Sequence, residues 1–139
     1  MQADPRSVAM IKTLVAFDTT SRESNLELVE WVRGYIGDLG IKSHLTFDGD
    51  ARKANLYATV GPQDRGGILL SGHTDVVPVD GQDWMSNPFT VIERDGRLYG
   101  RGTCDMKSFI AVALAHLPDF IERGLTTPLH LALSYDEEV

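Results

Sequence analysis

The sequence lacks three features that would each have indicated a particular class of protein. It has one cysteine, Cys104, so no disulfide can form within the chain and a reducing compartment is the natural setting. Its net charge of −7 gives no attraction for nucleic acid or for an anionic membrane. No apolar run approaches the roughly 18 residues of a membrane-spanning helix, and residues 1–7 have neither the basic start nor the apolar stretch of a signal peptide. We therefore expect a soluble, cytoplasmic protein that binds neither nucleic acid nor membranes.

Apolar residues at helical spacing predict three helices, over residues 4–17, 26–39 and 105–123. Asp4 and Pro5 are typical of the N-cap and first position of a helix, and Gly40 suits the end of the second. With 139 residues, of which 42% are hydrophobic, the chain can bury one core, so one domain is expected.

Alternating or continuous apolar residues predict strands between these helices. The predicted strands cover residues 41–47, 55–60, 67–71 and 129–134, with a hairpin formed by 89–94 and 97–99 around Asp95 and Gly96. Residues 79–88 show no period and indicate a surface loop. Helices and strands in succession predict an α/β layered fold with a mixed, partly parallel sheet.

Polar residues follow two of the predicted strands directly. His73 comes after the strand 67–71, and Glu138 comes after the strand 129–134. If these strands are parallel, their carboxyl ends lie at one edge of the sheet, where α/β proteins bind ligands. Asp105 begins the helix that leads back to the last strand, so it can join the other two. One imidazole and two carboxylates predict a divalent metal site, with zinc the first candidate and cobalt or manganese as alternatives.

Two more acidic residues have a place beside such a site. Glu137 would be left free of the metal and could take a proton from an activated water. Asp75, two residues after His73, could accept the other ring N–H of His73 and fix its tautomer.

Other interpretations of the same residues remain open. Asp105 could be an ordinary helix N-cap, and the acidic residues 136–138 a solvated turn. Cys104 could be a thiol nucleophile with His73 as its base and Asp75 to orient that base. The chain could also be a non-catalytic interaction or regulatory module.

Three segments of the sequence resemble the signature segments of the M20 metallopeptidase family: "SGHTDVVP", "WMSNPFTVIERDGRLYGRGTCDMK" and "LALSYDEEV". The resemblance extends over nearly the whole chain. Within the family, "LYGRGTCDMKSF" and "SYDEEV" are most similar to the acetylornithine deacetylase subgroup, with succinyl-diaminopimelate desuccinylases and peptidases as alternatives.

The resemblance implies a layered α/β/α zinc-exopeptidase-like fold and a role for each candidate residue. His73 is a ligand of one zinc ion, Asp105 bridges two zinc ions and Glu138 is a ligand of the other. Glu137 is the general base, and Asp75 orients His73. The implied reaction is hydrolytic removal of an N-acyl group from a small amino-acid substrate, with acetyl from N-acetylornithine in arginine biosynthesis the first candidate and cobalt a possible substitute for zinc.

The chain departs from the family in its length. Family members are longer; they supply a further acidic ligand and a final histidine, and they contain a smaller domain that mediates homodimerisation. The resemblance therefore implies that residues 1–139 are the N-terminal part of the metal-binding catalytic domain, truncated and inactive or nearly so alone, without the rest of that domain or the dimerisation domain. We expect Glu137 and Glu138 to lie at a free chain end, and the last strand to expose an apolar edge.

Overall fold

A computed structural model describes residues 4–139; residues 1–3, part of the segment expected to lack signal-peptide features, lie outside the described residues. The helices are α1 (Pro5–Val15), α2 (Leu26–Asp38) and α3 (Lys107–Arg123). The Asp4 carboxylate accepts the amide N–H of Arg6 at 2.8 Å, and Pro5 begins α1, which confirms the predicted cap. Gly40 follows α2 with a φ of 78°, in the left-handed region that favours glycine.

Within residues 4–139, six strands form two sheets. They are β1 (Ser43–Phe47), β2 (Ala54–Val60), β3 (Ile68–His73), β4 (Ile92–Arg94), β5 (Arg97–Tyr99) and β6 (Leu129–Ser134). The larger sheet has the order β1-β2-β6-β3, and β4 pairs with β5 in a separate hairpin. Strand β6 is parallel to β3 and antiparallel to β2, which confirms the predicted mixed, partly parallel sheet.

The core lies between one face of the larger sheet and the helices. Along β2, Ala54 and Leu56 are buried while Asn55 and Tyr57 are exposed, as expected for a strand with one covered face. Apolar residues of all three helices join the buried residues of the sheet in a single cluster, which includes Leu14, Val32, Leu56, Leu114 and Leu131. The described residues thus supply a helical layer and a sheet layer of an α/β fold.

The expectation that the last strand would expose an apolar edge is wrong. Strand β6 lies inside the sheet, with β2 on one side and β3 on the other. The exposed apolar edge belongs instead to β3, where Ile68 and Leu69 are 61% and 53% exposed. Apolar content identified β6 as a strand, but it could not give the order of the strands, which depends on pairings between distant segments.

Two element boundaries near the predicted site differ from the expectation. Strand β3 continues to His73, two residues further than predicted, and α3 begins at Lys107, two residues later than predicted. His73 is therefore held by the sheet, and Asp105 lies in the loop before the helix. Among residues 4–139, no helix is both long and apolar enough to cross a membrane.

Candidate metal centre

Strands β3 and β6 end side by side at one edge of the sheet. His73 lies opposite Ser134 in the parallel pairing, and the amide of Thr74 donates to the Ser134 carbonyl at 2.8 Å. Residues 135–138 therefore leave the sheet next to residues 73–75. The parallel pairing on which the predicted site depends is confirmed.

His73 is held in one orientation between two acceptors. Its side chain is 5% exposed; Nδ1 lies 3.0 Å from the backbone carbonyl oxygen of Asp75, and Nε2 lies 3.0 Å from Oδ1 of Asp105. Burial lowers the pKa of His73, but the Asp105 carboxylate and the Asp75 carbonyl more than offset it, so the pKa is raised above its ordinary value. The Nε2 atom thus faces an acidic, open part of the surface.

Asp105 uses its side chain to contact His73 rather than to cap α3. The N-cap of α3 is Met106, which makes no side-chain capping hydrogen bond. The Asp105 side chain is 71% exposed and reaches Nε2 of His73 with Oδ1. The N-cap interpretation of Asp105 is therefore wrong.

Glu137 and Glu138 complete a group of mutually close donor atoms. One ligand atom each from His73, Glu137 and Glu138 lie within 4.8 Å of one another. Nε2 of His73 is 3.8 Å from Oε2 of Glu137. The predicted ligands were His73, Asp105 and Glu138; the structure groups Glu137 with His73 and Glu138, and Asp105 adjoins this group through His73.

The carboxylates in this cluster repel one another. Burial raises the pKa of Glu138, and the neighbouring Asp105 carboxylate raises it further, so that the pKa lies above its ordinary value. Such a concentration of negative charge beside an imidazole is the arrangement that a divalent cation would stabilise.

Asp75 makes contacts both with His73 and with residues 136–138, here called the acidic segment. Its carboxylate accepts the backbone amides of Glu137 and Glu138 at 3.2 and 3.1 Å, while Oδ1 is 3.5 Å from Nδ1 of His73. The nearer acceptor for the ring nitrogen is the backbone carbonyl of Asp75. Burial raises the pKa of Asp75, but the amides and the Ser21 hydroxyl more than offset it, so the pKa lies below its ordinary value.

Ser21, in the polar segment after α1, also belongs to this site, although its sequence position did not predict it. Its hydroxyl donates to the Asp75 carboxylate at 2.8 Å, and Ser21 is itself buried. The segment is fixed by a backbone bridge between Thr20 and Val76. The only signal in the sequence was a run of small polar residues, "DTTS", which is equally common in ordinary turns.

Nothing in the described contacts supports a thiol nucleophile. Cys104 is exposed, and the His73 nitrogen that would accept its proton faces Asp105 instead. The Asp105 carboxylate, rather than the Cys104 thiol, is thus the group in contact with the imidazole of His73.

Comparison with known proteins identifies the family. The pattern of "Peptidase family M20/M25/M40" matches residues 69–139, which contain all the candidate site residues. An acetylornithine deacetylase from Pectobacterium carotovorum is 40% identical over 134 residues, and one from Pasteurella multocida is 37% identical over 145 residues. These alignments cover 96% and 99% of the chain but 35% and 38% of the relatives, so the chain spans about a third of their length.

The fold is also that of two solved peptidase structures. A family M20 metallo-carboxypeptidase from Sulfolobus solfataricus superposes with a TM-score of 0.78 at 24% identity, covering 98% of this chain and 32% of that one. Human carnosine dipeptidase 1 superposes with a TM-score of 0.77 at 23% identity, covering 95% and 32%. These superpositions show the fold, and the family match over residues 69–139 shows that the chain belongs to peptidase family M20/M25/M40.

Proposed function

We propose that this chain is the N-terminal part of the catalytic domain of a zinc-dependent amidohydrolase that removes an N-acyl group from a small amino acid. The observation that carries the proposal is the group of His73, Glu137 and Glu138, with donor atoms within 4.8 Å of one another and Asp105 in contact with His73. These residues come from three separate segments of the sequence, and a solvated acidic surface gives no reason for them to meet around a buried imidazole.

The donor set fits a divalent cation of the zinc type. Zinc in catalytic sites takes imidazole nitrogen and carboxylate oxygen at about 2.0–2.2 Å, and both kinds of donor are present here. We propose two zinc ions per active site in the whole protein, which His73, Asp105 and Glu138 would help to hold, with cobalt as a substitute. When bound, such a cation would polarise the amide carbonyl and lower the pKa of a water beside it.

The remaining chemistry belongs to residues of the chain. Glu137 accepts a proton from the attacking water; its side chain is 61% exposed, so water reaches it. Asp75 fixes the ring of His73 through its carbonyl and the backbone of Glu137 through its carboxylate. Both His73 and Glu137 are thus held by one buried aspartate.

The relatives named acetylornithine deacetylase, at 37–40% identity, make N-acetylornithine the first substrate to test. We further propose that the whole protein is a cytoplasmic homodimer. The 139 residues alone should hydrolyse little substrate, because the resemblance implies further ligands and a dimerisation domain beyond the residues described.

Equilibrium dialysis against zinc tests the metal centre directly. The wild-type chain should take up zinc stoichiometrically, and His73→Ala and Asp105→Ala should each abolish specific uptake. His44→Ala is the matched control, because His44 lies exposed in β1, and this variant should bind like wild type. Uptake by the wild type that persists unchanged in His73→Ala would exclude the proposed centre, as would a wild-type chain that binds no zinc.

A further inference from the structure

Lys53 joins the acidic segment to the segment that follows α1. Its Nζ donates to Oδ1 of Asp136 and to the backbone carbonyl of Ser21, the latter at 2.5 Å. The Lys53 side chain is 16% exposed and that of Asp136 is 34% exposed. This pair is partly buried, so water screens it less than it screens a fully exposed pair.

The contacts of Lys53 are linked to those of Asp75 through Ser21 and through the acidic segment. Ser21 accepts from Lys53 through its carbonyl and donates to Asp75 through its hydroxyl. Asp75 in turn accepts the amides of the two residues after Asp136. The segment 136–138 is therefore held on two sides, by its one lysine contact and by its two amides.

The backbone conformation of Asp136 suits this double attachment. Its φ is 58°, in the left-handed region, which residues other than glycine rarely adopt and which aspartate tolerates better than most. A residue in this conformation can turn successive amides towards a single anion. Both following amides here point at the Asp75 carboxylate.

We propose that Lys53 and Asp136 are positioning residues that hold Glu137 and Glu138 beside His73. The inference rests on the proposed function and extends it, since it identifies the residues that orient Glu137 and Glu138. Neither residue belongs to the donor group itself; both act through the backbone of residues 136–138.

The test uses Lys53→Met, which removes the ammonium but keeps the aliphatic stem, and Asp136→Asn, which keeps the shape and the tolerance for the left-handed conformation. Calorimetric titration with zinc chloride should give a Kd about 10-fold higher for each variant, the effect usual for residues that orient ligands. The double variant should bind zinc about as weakly as Lys53→Met alone, because that variant already leaves Asp136 without its lysine partner. Lys53→Arg should restore much of the affinity.

A second readout separates positioning from general destabilisation. In both single variants, amide exchange measured by NMR should become about 10-fold faster at Glu137 and Glu138, while amides in the middle of α2 keep their protection. Lys12→Met is the control, because it removes an exposed ion pair with Glu93 on the hairpin and should change neither measurement.

Unchanged exchange at Glu137 and Glu138 in Lys53→Met would overturn the proposal, and so would zinc affinity equal to wild type. If the wild-type chain itself binds no zinc, the proposed metal centre fails, and the exchange measurement alone still decides whether Lys53 and Asp136 hold the segment.

Discussion

The Nε2 atom of His73 lies 3.0 Å from Oδ1 of Asp105, although 32 positions separate the two residues. One residue comes from the end of β3 and the other from the loop that leads into α3. Their distance therefore depends on how closely the start of α3 packs against β3. Gly72, immediately before His73, allows the close approach: a Cβ there would lie 3.0 Å from Cγ1 of Ile110 in α3.

Gly72→Ala should therefore destabilise the protein and disturb the metal centre. The added methyl group would also meet the side chains of Met106 and Phe109, both at 3.3 Å, so these side chains or the beginning of α3 must move by a few tenths of an ångström. We expect a loss of about 1–3 kcal/mol in the free energy of unfolding, as is usual for overpacking. Urea denaturation measures the loss. Gly66→Ala is the control, since a Cβ at that position would have no neighbour within 4 Å, and equal stability of the two variants would contradict the argument.

Glu138→Gln should weaken zinc binding more than Glu137→Gln. Both carboxylates belong to the donor group, but the family resemblance makes Glu138 a ligand and Glu137 the proton acceptor. Loss of a charged ligand oxygen should raise the zinc Kd at least about 10-fold, whereas a base that does not ligate the metal can be replaced at smaller cost. Calorimetry with zinc chloride compares the two variants. A larger increase in the zinc Kd for Glu137→Gln would mean that Glu137 is the ligand and Glu138 the proton acceptor.

The sequence predicted those features that depend on neighbouring residues. The cap of α1 by Asp4 and the limits of β6 follow from local residue types and periodicity, so they agree with the structure. To predict that residues 135–138 lie near His73, one more assumption was needed, namely that β3 and β6 are parallel. General rules for α/β sheets supplied that assumption.

The contacts that hold the site could not be predicted in the same way. Ser21 and Asp75 are 54 positions apart, and Lys53 and Asp136 are 83 positions apart. Such contacts depend on the directions of individual side chains, which leave no periodic pattern in the sequence. The expectation that β6 would expose an apolar edge was wrong for a related reason, since a hydrophobic pattern gives the same signal for an inner strand and an edge strand.

Asp119→Asn should reduce stability at neutral pH and have less effect in acid. Arg6 in α1 hydrogen-bonds the Asp119 carboxylate at 2.9 Å and, with the ring of His116, lowers the pKa of Asp119 to about 2. Because this pKa is depressed, the stabilisation is present above the ordinary pKa of 3.8 and is lost as the pH falls towards 2.

Urea midpoints at pH 7 and about pH 2.5 test this pH dependence. The difference between wild type and Asp119→Asn should be larger at neutral pH and should shrink in acid. Asp83→Asn, at an exposed loop position, is the control. If the difference in stability between wild type and Asp119→Asn grows in acid, the ionised Asp119 carboxylate does not stabilise the folded protein.

Asp75→Asn should loosen the acidic segment while leaving the size of the side chain unchanged. Asp75 is 2% exposed, and its two carboxylate oxygens accept three hydrogen bonds, from the Ser21 hydroxyl and from the amides of Glu137 and Glu138. An asparagine NH₂ group cannot accept, so at least one buried donor loses its partner, at a cost of about 1–3 kcal/mol. Urea denaturation should show this loss, with faster amide exchange at Glu137 and Glu138. Asp80→Asn, which removes an exposed partner of Arg22, should change stability far less; an equal loss would mean that the Asp75 carboxylate contributes no more than a surface charge does.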